Sequence, residues 1–353
     1  MQTLIVATAF VLTGGAAFAQ APAATARPAP TGLVVGSGNF FSPIVGDLDK
    51  AVAFYRDGLG LDVQGSPANA DANPALRHMF GLPDASLRWL IGRPGAMRTG
   101  VEIVEITRAA GAPLARRMQD SGAFTLIAFV RDLDASLAHL KPLGARIVTR
   151  GGAPVTVPFG GQHAKMVVVS DPAGHFVELV QPDQPPDTQA PTTANVVDVR
   201  VRLTVDNLDK AVRLYRDGLG LQARGDAAFP FRKDAAVLNA FGLSGGEYRF
   251  ATLDVPTSGL AFELIEFKGV DRKIVRGNIQ DPGSTRIQLQ VRDVDATIAA
   301  LKQVGGAVVS TGGTTVELPG RGGATTKVAI VREPNNLFLV LLQAAAPAAP
   351  RNP

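Results

Sequence analysis

In two short runs of this chain, basic and amide side chains alternate with apolar ones. In RVRLTV (200–205) an extended backbone sends Val201, Leu203 and Val205 to one face and Arg200, Arg202 and Thr204 to the other. In RIQLQV (286–291), Ile287, Leu289 and Val291 oppose Arg286, Gln288 and Gln290 in the same way. Guanidinium groups gathered on one face of a sheet can grip a carboxylate or phosphate with two parallel hydrogen bonds, or neutralise a fixed acid such as Glu266. Glu105 and Glu178 are the matching acids of the first half. Two carboxylates brought together could hold a hard cation through water, raise one another's pKa, or receive a cationic ligand. All four histidines (His78, His139, His163, His175) precede residue 176, so an imidazole-bound metal is excluded from the second half. The absence of cysteine excludes disulfides, thiolate metal sites and cysteine nucleophiles.

The elements that must position these groups are repeated. LDKAVAFYRDGLGL (48–61) returns as LDKAVRLYRDGLGL (208–221), with twelve of fourteen letters unchanged. Further pairs follow at nearly constant offset: Arg88 and Arg249, Glu102 and Glu263, Glu105 and Glu266, Pro158 and Pro319. A weaker copy of the layout, VRDLDASLAHLKPLGARIV (130–148) and VRDVDATIAALKQVGGAVV (291–309), lies inside each half, so one unit occurs four times. In its first copy Asp47 caps a helix with Leu48, Val52 and Tyr55 on one face, and Gly58 and Gly60 permit a left-handed exit. SLRWLIG and GVEIVEITR read as strands, which gives β-α-β-β-β per unit.

With 353 residues, 46% of them hydrophobic, the chain can fill two ordinary domains. Its charge of +4 is spread without a dense basic run, so nucleic acid is not an expected partner. Residues 1–19 carry a short apolar run ending in Ala17-Phe18-Ala19, the pattern of a signal peptide, and place the protein in the bacterial periplasm or outside the cell. That run is too short to span a bilayer. A Pro/Ala-rich spacer (20–32), a first domain (33–182), a linker (183–195), a second domain (196–343) and a tail (344–353) complete the expected organisation.

The helix motif VGDLDKAVAFYRDGLGL and the terminal DPAGHFVEL (171–179) resemble the vicinal oxygen chelate superfamily, the fold of glyoxalases, bleomycin-resistance proteins and extradiol dioxygenases. The resemblance covers nearly all of the chain outside leader, linker and tail. It implies an α+β fold in which four βαβββ modules pair into two tandem cup-shaped sheets, the first cup built by the first half and the second by the second half. Family enzymes hold a divalent metal between a His or Gln on the first strand of a module and a Glu on its last. Here the first-strand positions fall on Phe40, Thr125, Arg200 and Arg286, none a ligand, and the last-strand positions on Glu105, Glu178, Glu266 and Val340.

The expected first cup is therefore apolar with two acids, Glu105 and Glu178, where a divalent metal is the one cofactor left open. The expected second cup is lined by Arg200, Arg202, Arg286 and Gln288 beside Glu266, and any ligand there should be anionic. His139, within a helix, and His175, at its turn, read as structural residues; His163 reads as a surface hairpin residue, with a reach into the first cup as the alternative, and His78 lies in the variable stretch over which the family often closes its pocket, with a ligand role as the alternative. Three functions stay open: a metal-independent binder of a small molecule, favoured by the lost histidines; a metal-dependent lyase, isomerase or dioxygenase; and an exported scaffold with no small ligand. A monomer of two pseudo-symmetric domains and a dimer are equally compatible with the sequence.

Overall fold

The computed structural model describes residues 32–69, 73–95, 97–184, 186, 188, 190–225, 229–319 and 325–343. The expected leader, nearly all of the spacer, and the tail lie outside the described residues. No helix among the described residues is long and apolar enough to cross a membrane.

All four copies of the unit form, each by the same local chemistry. Asp47, Asp132, Asn207 and Asp293 cap their helices by accepting from the backbone N–H of Lys50, Ala135, Lys210 and Ala296. The first N–H of each helix is satisfied from the last strand of its own unit. Leu48 and Leu208 donate to Glu105 and Glu266, at 3.2 and 2.8 Å, and Leu133 and Val294 donate to Gln181 and Gln343, at 2.9 and 2.8 Å. One acceptor at one register position thus pins helix to sheet four times. The helices of the first and third units end in a π-helical turn and leave through Gly60 and Gly220, both with φ above +75°.

Module 1 contributes the strands Ser42–Val45, Asp62–Val63, Ser86–Arg93 and Val101–Thr107, and module 2 contributes Phe124–Val130, Arg146–Ile147, Gln162–Ser170 and Phe176–Pro182. Module 3 contributes Val196–Thr204, Gln222–Ala223, Glu247–Asp254 and Ala261–Lys268, and module 4 contributes Thr285–Val291, Ala307–Val308, Thr325–Arg332 and Phe338–Gln343. Two sheets result, but neither is built from one half of the chain. Module 4 pairs with module 1 through an antiparallel seam in which Arg286 faces Ser42. Module 2 pairs with module 3 through a seam in which Thr125 faces Arg202 and Ile127 faces Arg200. We call these the terminal and the central cup. The four-module, two-sheet fold is as the sequence implied, whereas the assignment of one cup to each half is corrected: every cup takes one module from each half. The connections decide this. Segment 109–122 leaves module 1 and runs beside 273–283, which leaves module 3, joined by Gly111 N–H to Gln280, Leu114 N–H to Pro282 and Ser121 N–H to Lys273.

The convex faces of both sheets and all four module helices share one core, containing Phe41, Leu126, Leu203 and Leu289 with Leu48, Leu133, Leu208 and Val294. Phe41 and Phe124, one from each sheet, stack at 5.6 Å. The concave faces carry separate clusters, around Ile127, Phe129 and Ile265 in the central cup and around Ile44, Val104 and Ile330 in the terminal cup. The connection 183–195 is tied down at its end: Asn195 donates to Asp132 and Ser136, and Arg131 donates to Ala194.

Candidate functional site: the central cup

Strand Val196–Thr204 follows the expected alternation, with Val201 and Leu203 in the shared core and Arg200 and Arg202 on the concave face. Beside it in the sheet, Ala261–Lys268 brings Glu263 to the same face, and Phe176–Pro182, across Phe124–Val130, brings Glu178. Arg202 sits between the two acids. Its Nε and Nη2 donate to Glu263 Oε2 at 2.9 and 2.8 Å, its Nη1 donates to Glu178 Oε2, and Nη2 also reaches Glu178 Oε1 at 3.3 Å. The guanidinium carbon lies 5.1 Å from the Phe241 ring centroid. Burial alone would pull the Arg202 pKa down, but the charges of Glu178 and Glu263 outweigh it and hold the value above that of a free arginine. Every guanidinium nitrogen of Arg202 is thereby engaged.

Arg200 is differently placed. It forms an ion pair with Glu263 Oε1 at 3.5 Å, with its guanidinium 4.6 Å above the Phe129 ring, and among the described residues it hydrogen-bonds no side chain. The cavity in front of these residues has a volume of about 490 Å³ and is walled by Ile127, Phe129, Val157, Phe159, Met166 and Val180. Arg232, exposed and stacked on Phe250 at 5.4 Å, stands at its edge. The site therefore has a closed ionic floor, apolar walls and two guanidiniums with donors to spare.

The terminal cup is closed. Arg286, 1% exposed, donates from Nη2 to Glu102 at 3.0 Å, as does the Gln288 amide, and Phe80 covers the guanidinium at 4.5 Å. Burial holds the Arg286 pKa below its usual value, against the opposing charge of Glu102. Arg286 Nε and Ser42 Oγ, both buried, have no hydrogen-bond partner among the described residues. Met79, Ile44, Val104, Phe338 and Val340 fill the space around them.

Four expectations need correction. Arg286 and Gln288 do not share a cup with Arg200 and Arg202, because modules 3 and 4 belong to different sheets. Glu178 is not in a separate cup from the arginines but bonded to Arg202. Glu105 and Glu266 face the helices rather than the cups: Glu105 accepts from Leu48 N–H and from Arg88 at 2.8 and 2.6 Å, Glu266 from Leu208 N–H and from Arg249 at 3.0 and 2.7 Å. In GVEIVEIT and AFELIEFK the two glutamates are three residues apart, hence on opposite faces, and the cup-facing ones are Glu102 and Glu263. The signal was available in Val101 and Ile103, which share Glu105's parity and belong to the core. Phe40 lies in that core too, because the chain breaks its strand at Gly38–Phe40 before Ser42 resumes it. Thr125 stays at the seam, its hydroxyl beside the Met118 sulfur.

The histidines stand apart from both cups. His78, His139 and His163 are exposed. His175 is buried, Nδ1 3.1 Å from Asp171 and Nε2 3.0 Å from the Ser284 carbonyl, which fits the structural role expected of it. A divalent metal in the family's position would find Glu178 and Glu263 in the central cup but Thr125 and Arg200 where neutral ligands belong, and Arg202 already between the acids. The donor set does not fit, and among the described residues no group of three or more His, Cys, Asp or Glu could hold a metal ion.

A sequence model of the Glyoxalase/Bleomycin resistance protein/Dioxygenase superfamily matches residues 39–179 and 199–340, and the chain belongs to that family. The structure is similar to glyoxalase I from Zea mays, with 20% identity and a TM-score of 0.51, covering 86% of this chain and 92% of that one. It is also similar to a putative dioxygenase from Bacillus subtilis, with 13% identity and a TM-score of 0.50, covering 89% of this chain and 87% of that one. Both likenesses are of fold. No curated protein matches the chain.

Proposed function

We propose that the protein binds a small molecule in the central cup without a metal, and that the ligand carries an anionic group on an apolar or aromatic body. The observation that carries this reading is the Arg202 guanidinium bonded to both Glu178 and Glu263, a fixed cation where a family enzyme keeps its metal. With the floor neutralised, the groups left to meet a ligand are Arg200 and Arg232, the polar side chains of Tyr248 and Thr252, and the apolar wall, while the one further carboxylate of the lining, Asp234, is held as the cap of helix Ala235–Ala240. A bidentate carboxylate on Arg200 would be a charge-assisted contact in a partly dry site. The metal-enzyme reading has no donor set to support it, and a scaffold role leaves the cavity without use.

The test is a thermal-shift series on the purified chain with benzoate-type aromatic carboxylates, their neutral amides and divalent metals, alongside metal analysis. Ligand that binds only the native state raises the melting temperature by mass action. The expected result is a shift with carboxylates, lost in Arg200→Gln, and none with amides or metals. Stoichiometric metal in the purified protein, with a fall in melting temperature on chelation, overturns the proposal.

A further inference from the structure

A second cavity lies outside both cups, and the pseudo-symmetry of the chain shows how it arises. In module 1 the turn after the first helix is packed against the helix of module 2: a Cβ on Gly58 would stand 2.6 Å from Leu140 and 3.1 Å from Leu143. The equivalent contact between modules 3 and 4 is not made. A Cβ on Gly218 would meet only its own turn, at 3.8 Å or more, and Val304, the counterpart of Leu143, is left 48% exposed. The gap is a cavity of about 670 Å³, whose apolar lining includes Leu214, Val304 and Ile274, the last 51% exposed.

Its charge is as uneven as its packing. Lys210, Arg213 and Arg276 line it, and among the described residues none of the three has a salt-bridge partner. Asp206 is the one carboxylate in the lining, and it lies 3.5 Å from Arg272. In module 1 the counterpart lysine, Lys50, is paired with Asp47 at 2.9 Å; Asn207 in place of that acid leaves Lys210 free of it. The two letters by which LDKAVRLYRDGLGL differs from LDKAVAFYRDGLGL are Arg213 for Ala53 and Leu214 for Phe54, and both line this cavity. The repeat is thus altered where a cation is gained and an aromatic ring is lost.

We propose that this cavity is a binding site for an amphiphilic anion, a carboxylate on a short alkyl chain, with its head group at Lys210, Arg213 and Arg276 and its chain on Leu214, Ile274 and Val304. The site is independent of the central cup. Titration calorimetry of the full chain with sodium decanoate is expected to show a site that persists in Arg200→Gln, whereas any decanoate held by the central cup is lost in that variant. The double variant Arg213→Ala/Leu214→Phe, which restores letters that already fold in module 1, should weaken binding about tenfold or more. Ala300→Trp, which fills the space without touching a charge, should abolish it, while Arg200→Gln should leave it unchanged. Inorganic phosphate, with charge but no chain, and decyltrimethylammonium, with a chain but the wrong charge, should each bind at least about tenfold more weakly than decanoate. Unchanged affinity in the double variant, equal binding of the cationic amphiphile, or loss of binding in Arg200→Gln overturns the proposal. So does co-sedimentation with phosphatidylglycerol vesicles in the absence of decanoate binding, which would make the patch a membrane contact.

Discussion

Replacing Arg202 by leucine removes the one group that both central carboxylates are bonded to. Glu178 and Glu263 are 2% and 6% exposed, so once the guanidinium is gone both are left charged on the floor of the cavity with little contact with water. Breaking a buried ion network by deleting one partner costs about 3–5 kcal/mol, because the remaining charges are stranded. The stranded pair then responds to pH in a defined direction. Burial already raises the Glu178 pKa against the pull of Arg202, and removing that guanidinium removes the opposing charge, so the native state of the variant binds a proton more tightly than its unfolded state. Its stability is highest in acid and falls as pH rises through the raised value, at about 1.4 kcal/mol per unit of separation. Urea denaturation of wild type and Arg202→Leu at pH 5 and pH 7.5, followed by circular dichroism, should therefore show a deficit that is larger at pH 7.5. Adding Glu178→Leu and Glu263→Leu to the variant should recover most of it, since a well-packed apolar replacement of a buried network is close to neutral. A loss below about 1 kcal/mol that is the same at both pH values would refute the claim that this guanidinium neutralises the site.

Glu105 is an anchor for the first helix, so Glu105→Gln, which keeps the acceptor that Gln181 and Gln343 supply elsewhere, should leave urea stability within about 1 kcal/mol of wild type, whereas Glu105→Ala should cost about 1–3 kcal/mol; neither should change metal content. Glu333 is buried, accepts from Leu337 N–H and Asn335, and burial pushes its pKa up to about 7. Its folded value exceeds the unfolded one, so stability present below pH 4.5 should decline as pH rises through 7, by about 3 kcal/mol, and the difference between wild type and Glu333→Gln across that window checks it. The mature chain should begin near Gln20 and be recovered outside the cytoplasm; N-terminal sequencing of fractionated cells that finds intact Met1 in the cytoplasm would overturn this.

The module was legible in the sequence because each of its parts is a local rule: a capping Asp or Asn, a helix face, glycines at the exit, and strands whose apolar residues fall on one side. The faces of RVRLTV and RIQLQV followed from parity alone and stand as read. The pairing of modules could not be read in the same way. All four first strands present apolar residues to the helices and their remaining side chains to a cup, so any two of them can form a seam, and the choice rests on the connections 109–122 and 273–283. Those segments have no periodicity; they are held by Leu114, Arg116 and Asp120 reaching across to backbone groups of the other connection. The misreading of Glu105 and Glu266 had another cause. Each strand offers two glutamates three apart, and only the core residues flanking them say which one enters the cup.

With each cup drawn from both halves of the chain and Glu102 and Glu263 turned inward, the two cups hold different numbers of acids. Among the acids at the last-strand cup position, Glu102 remains alone in the terminal cup, where Val340 is its counterpart, while Glu178 and Glu263 remain together in the central one. The terminal cup supplies one guanidinium, Arg286, and the central cup two, Arg200 and Arg202. In each sheet the number of arginines at the centre equals the number of glutamates, although the arginines come from modules 3 and 4 and the glutamates from modules 1, 2 and 3. A divalent ion entering either cup would meet a site already neutral and would have to displace a guanidinium from a carboxylate in a dry environment, where such contacts are strongest. Each cup thus carries its own balance of guanidinium and carboxylate. In the central cup the side chains outside that balance are the apolar walls and the exposed Arg232, and it is on these, with Arg200, that the proposed ligand would be tested.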